Sequence, residues 1–128
     1  MFGKNVSRDV LLWVAVLWLA PAGAGKLAAE TPPTRHVEVT ASRFAFEPSR
    51  IEVAQGDVVD LVVRSADTDH GFAIDAYNVK VKVPKGGEPV SVSFVATRAG
   101  TFPIHCSEYC GSGHKRMKAE LVVEEKAQ

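Results

Sequence analysis

From residue 36 onward the chain repeats apolar residues at every second position, and this period decides what it can build. Residues 36–40 (H-V-E-V-T), 50–54 (R-I-E-V-A) and 89–94 (P-V-S-V-S-F) alternate polar with apolar, as a strand does when one of its faces is buried. Residues 58–63 and 118–123 are apolar enough to be interior strands. Turn chemistry separates these runs: Glu47-Pro48, Gln55-Gly56-Asp57, Pro84-Lys85-Gly86-Gly87 and Arg98-Ala99-Gly100. No sustained 3.6-residue period follows residue 30. Short strands punctuated in this way imply an all-β chain, an antiparallel β-sandwich of Greek-key type.

With 128 residues and 46% hydrophobic content the chain can fill one core. Its formal net charge of zero supplies no basic excess to neutralise phosphates, which argues against nucleic acid as a partner. Lys4 and Arg8 precede an unbroken apolar run at residues 10–20, followed by P-A-G-A, the layout of a targeting signal. As a helix that run spans about 16 Å, short of the roughly 30 Å hydrocarbon core. A cleaved signal peptide over residues 1–24 is therefore favoured over an uncleaved membrane anchor, and both deliver the chain out of the cytoplasm. Residues 25–34, rich in small residues and proline, read as a linker, which leaves residues 35–125 for the folded domain.

The chemistry is concentrated in residues 106–117, C-S-E-Y-C-G-S-G-H-K-R-M. Cys106, Cys110, His114 and Met117 follow one another at spacings of four, four and three. Sulfur and imidazole together select copper, zinc or iron–sulfur clusters, and a thioether tips the choice toward copper. A mononuclear blue-copper site uses one cysteine, so this loop has one too many. Two thiolates can instead bridge two ions, provided a second imidazole joins them, and His70 is the candidate, placed where the strand at 58–63 gives way to a loop. Met117 and a backbone carbonyl within the loop would be weak axial donors. A Cys106–Cys110 disulfide and a zinc site of two cysteines and two histidines satisfy the same residues.

Alternation along residues 101–106 turns Cys106 inward with Phe102 and Ile104, and turns His105 outward as a non-ligand. His36 reads as an ordinary strand residue. Gly111 and Gly113 are expected to let the loop curl at positive φ. Phe72, Phe102 and Tyr109 are the bulky residues closest in sequence to the donors.

Residues 106–117, with His70-Gly71-Phe72 upstream, resemble the dinuclear copper A domain of cytochrome c oxidase subunit II, and nitrous oxide reductase carries a similar domain. The likeness covers roughly residues 41–124. It implies a cupredoxin fold and a metal set of His70, Cys106, the carbonyl of Glu108, Cys110, His114 and Met117 holding two copper ions. It implies electron transfer at the periplasmic or outer face of the cytoplasmic membrane, with a redox donor such as cytochrome c. A haem-copper oxidase catalytic subunit and a copper chaperone for metallation are the other partners it implies. No activity is expected of the isolated chain. An alternative of another class is a periplasmic copper-binding or copper-delivery protein using the same donors.

Two features depart from the family's pattern. The only apolar segment long enough to consider as an anchor is residues 10–20, and both tryptophans, Trp13 and Trp18, lie within it. Electrons must then be admitted by another route, near Phe72 or through an exposed edge of His114. Asp67, Asp69, Asp75 and Glu108 would suit a basic partner, but Lys115, Arg116 and Lys118 share the region, so the charges read as a solvated rim.

Overall fold

A computed structural model describes residues 30–127 together with the isolated positions 23 and 25. The targeting segment and most of the linker lie outside the described residues. Among the described residues no helix is long and apolar enough to cross a membrane.

Among the described residues nine strands form: β1 (Thr34–Ser42), β2 (Ala45–Glu47), β3 (Arg50–Ala54), β4 (Val58–Ser65), β5 (His70–Ile74), β6 (Val79–Val83), β7 (Val90–Val95), β8 (Gly100–His105) and β9 (Lys118–Glu124). They make a four-stranded sheet in the order β2-β1-β4-β7 and a five-stranded sheet in the order β3-β9-β8-β5-β6. The all-β, two-sheet architecture thus agrees with the period-2 reading. The two apolar runs take interior places, β4 between β1 and β7, and β9 between β3 and β8.

Alternation converts directly into packing. Along β4 the side chains of Val59, Leu61 and Val63 are buried while the residues between them are only half covered. Val39, Phe46, Leu61, Phe72, Ile104 and Leu121 meet in one core between the sheets, and each large apolar side chain fully enclosed there stabilises the fold by about 1.5–3 kcal/mol. Asp57, buried at the β3–β4 turn, accepts hydrogen bonds from the Ala54 amide at 3.0 Å and from Arg35 Nε at 3.2 Å.

The antiparallel expectation needs correcting at two places. β1 runs parallel to β4, from Thr34 opposite Val58 to Ala41 opposite Ser65, and β3 runs parallel to β9. The chain changes sheets five times, at β2–β3, β3–β4, β4–β5, β6–β7 and β7–β8, so only β2, β6 and β9 pair with the strand just before them. Period alone carries no direction.

β8 and β9 pair antiparallel, with His105 opposite Lys118. Residues 106–117 therefore span the tip of a two-stranded ribbon whose base is locked into the larger sheet.

Candidate metal centre

His70 is the first residue of β5 rather than a loop residue, and all five residues of that strand are buried. β5 pairs with β8 through Ala73 opposite His105. That pairing brings the start of β5 to the base of the tip. Cys106 follows β8 directly and points inward, 3% exposed, with Ile104 buried on the same face. His105 is half-buried on the other face, its ring nitrogen 3.9 Å from Asp75. His36 lies far from the tip, 3.4 Å from Asp60.

The tip folds back so that its donors converge. Cys106 Sγ and Cys110 Sγ are 3.5 Å apart and both thiols are free. His70 Nδ1 lies 3.9 Å from the Cys106 sulfur, and His114 Nδ1 lies 3.8 Å from the Cys110 sulfur. Met117 Sδ is 3.7 Å from Cys110 Sγ, while the Glu108 carbonyl oxygen is 3.0 Å from Cys106 Sγ. Ligand atoms of His70, Cys106 and Cys110 all fall within 4.8 Å of one another. His70 and Met117 are fully buried, Cys110 nearly so, and His114 is half-buried. All six residues expected from the sequence are thus in one place.

The surroundings explain the convergence. Gly111 has φ of +135°, the left-handed freedom expected of it. Gly113 serves differently: its N-capping φ is −91°, and a methyl group there would lie 2.3 Å from the Phe44 ring. The glycine is needed for space, not for conformation. Gly71 N donates to Cys106 Sγ at 3.5 Å.

Charge orients the first imidazole. Asp67 accepts the Arg43 amide at 2.8 Å and the Thr68 amide at 2.7 Å, and it lies 2.6 Å from His70 Nε2. Burial alone would raise its carboxyl, but the hydrogen bonds from Arg43, His70 and Thr68 outweigh it and hold the group at about 2. An ionised carboxylate can only accept, so Nε2 donates to Asp67 and Nδ1 is the ring nitrogen turned toward the sulfur. The Cys110 thiol is pushed up to about 11, first by burial and then by the neighbouring Cys106 and Asp67.

Asp67 thus supports the site rather than serving as a docking charge. Its signal in the sequence was its place three residues before His70. Arg43 and Phe44 gave no such signal. Phe72 cannot admit electrons from the surface, because it is completely buried, edge-on to Phe46 at 5.5 Å. Phe102 meets Tyr77 edge-to-face at 5.2 Å. Tyr109 is 77% exposed, its ring centre 5.8 Å from that of His114. A groove bordered by Pro103, His105, His114, Lys115 and Lys118 opens beside the cluster.

The donor set fits copper. Two thiols, two imidazole nitrogens, a thioether and a carbonyl share one largely dry site, the soft mixture that copper favours, and the enclosed thioether adds little for zinc.

Residues 9–123 match the family model described as the cupredoxin-like domain. Cytochrome c oxidase subunit 2 of Thermus thermophilus is 37% identical over 109 residues, covering 84% of this chain and 78% of that protein. A chain of a heme-copper terminal oxidase dimer superposes with a TM-score of 0.64 at 27% identity, over 70% of this chain and 65% of that one. The periplasmic domain of subunit II of the cytochrome oxidase of Bradyrhizobium japonicum gives a TM-score of 0.65 at 22% identity, over 72% of this chain and 85% of that one.

Proposed function

The chain belongs to the cupredoxin-like domains and, among them, to the cytochrome c oxidase subunit 2 family, and from that premise we propose that it transfers electrons through a dinuclear copper A centre. His70, Cys106, the Glu108 carbonyl, Cys110, His114 and Met117 are the residues that would hold the two ions. One observation carries the reading: two free, buried sulfurs 3.5 Å apart, each with an imidazole Nδ1 within 4 Å. When bound, the copper pair supplies a one-electron store shared between both ions.

The chain's own residues do the rest. Asp67 holds the ring of His70 by Nε2 and so aims Nδ1 at the sulfurs. The β8–β9 ribbon fixes the spacing of Cys106 and Met117, whose main chains are joined by a hydrogen bond from Cys106 N to Met117 O of 3.3 Å. The buried side chains of Phe72, Ile104 and Met117 keep water from the inner face. Tyr109 and the edge of His114 form the outward face, where a redox donor such as a cytochrome c would approach.

We read residues 1–24 as a signal or anchor, residues 25–34 as the linker, and residues 35–125 as the copper domain, connected in Greek-key fashion and working in the periplasm or at the outer membrane face. A heme-copper catalytic subunit is the acceptor this reading names. Reconstitution with copper, metal counting and electron paramagnetic resonance (EPR) test it together. Two coppers per chain with a delocalised mixed-valence spectrum are expected. One copper, or an EPR-silent zinc species, overturns it, and ready release of Cu(I) to an acceptor protein would instead identify a delivery role.

A further inference from the structure

We propose that Arg43 is a positioning residue for the copper pair, fastening the segment that carries His70 to the loop that carries Cys110 and His114 and favouring the reduced centre through its guanidinium. The inference rests on the copper reading above. His70 and Cys106 are 36 residues apart in the chain, so some contact must set the distance between their two segments. The turn between β1 and β2 touches both.

Its first contact is through the main chain. The Arg43 N–H donates to Asp67 Oδ2 at 2.8 Å, and the other oxygen of that carboxylate lies 2.6 Å from His70 Nε2. Its second is through the side chain, where Arg43 Nε donates to the carbonyl oxygen of Cys110 at 3.1 Å. The next residue extends the clamp. A methyl at Gly111 or Gly113 would lie 3.0 or 2.3 Å from the Phe44 ring, and the Arg116 guanidinium stands 5.9 Å from the centre of that ring. The peptide of Cys110 is thus gripped by Arg43 on its carbonyl, with the following glycines lying flat on Phe44.

These contacts separate by experiment. Any residue but proline retains the amide bond to Asp67, whereas only a side-chain donor retains the bond to Cys110. Reduction passes one electron from a reduced one-electron carrier to the copper pair. A cation hydrogen-bonded to the peptide of a ligand draws density from that ligand and stabilises the added charge. Arg43 lies at the exposed rim, so solvent weakens the effect without changing its sign.

The test uses the full chain loaded with copper, titrated spectroelectrochemically with a soluble mediator, with melting followed in parallel. For Arg43→Met, which removes both the donor and the charge, the reduced-to-oxidised ratio at the parent's midpoint should fall at least threefold, about 28 mV at 59 mV per tenfold for one electron. The EPR copper hyperfine pattern should change with it. Arg43→Lys, which keeps the charge and one donor, should fall between the two, and it reads the same contact if the methionine variant does not fold. An unchanged potential and spectrum in Arg43→Met, whatever its melting temperature, overturn the proposal. A lysine variant equal to the methionine variant overturns the part assigned to charge. If the parent chain takes up no copper pair, it is the reading of the site that fails.

Discussion

Replacing Gly71 by alanine adds one methyl group where β5 runs against the ligand loop. That methyl would sit 2.1 Å from Ser107 Oγ, 2.5 Å from Glu108 N and 2.8 Å from Ser107 N. The hydroxyl can rotate away, but the two amide nitrogens belong to the ligand loop and have no rotamer. Ordinary contact begins near 3.5 Å, so the loop must recede by roughly 1 Å. Gly71 is not among the positive-φ glycines, and alanine suits its backbone, so the whole effect is one of volume. Overpacking a fixed site costs about 1–3 kcal/mol, and main-chain obstruction puts Gly71→Ala near the upper end. At roughly 4–8 °C per kcal/mol for a domain of this size, Tm should fall by roughly 10–20 °C. Because the displaced atoms lie between Cys106 and Cys110, the copper spectrum should change as well. Circular dichroism melting of the metal-free chain and EPR of the copper-loaded chain measure the two effects. Gly86→Ala is the control: Gly86 has φ of +98° but nothing within 4 Å, so about 1 kcal/mol of backbone strain should leave copper binding untouched. A Gly71→Ala chain that melts within about 4 °C of the parent with an unaltered spectrum would refute the close approach of β5 to the ligand loop.

Cys110→Ser leaves a single thiol and should hold at most one copper per chain by metal analysis; persistence of the mixed-valence spectrum would rule out bridging. Asp67→Ala frees His70 Nε2 and should weaken copper affinity about 10–100-fold in a competition titration, whereas a change below threefold would show that other contacts orient the ring. Since the Cys110 thiol titrates at about 11, it is protonated in the metal-free chain at neutral pH and the metal must displace that proton. Apparent copper affinity should therefore rise with pH, by about tenfold per unit for each thiol proton released. Equal affinities at pH 6 and pH 8 would contradict this.

What the residues disclosed in advance follows the range of each signal. Cys106 was legible because alternation along β8 is local, and the same rule set His105 apart. The runs that became β4 and β9 were legible as interior strands because apolar residues crowd together in them, Leu61-Val62-Val63 in one and Leu121-Val122-Val123 in the other. β5 was not: His70-Gly-Phe-Ala-Ile is buried at every position and so has no alternation to read, which is why His70 was assigned to a loop. The parallel pairings depend on which sheet the chain enters next, and no local period records that. Asp67 was noticed for its charge, but its task became visible only when Arg43 arrived at its other oxygen. Arg43 stands 67 positions from Cys110 in the chain, and nothing in a short turn announces a partner so remote.

The place of β9 bears on when the centre can come into being. This strand lies between β3 and β8, yet it follows every donor residue in the chain. A polypeptide halted at Met117 would possess all six ligands and still lack the member that joins β3 on one side to β8 on the other. Assembly must wait for that long-range closure, which is slow compared with local pairing. The preorganised cradle for the ions is accordingly a property of the finished domain, since an emerging chain carries the donors without the frame that makes them converge.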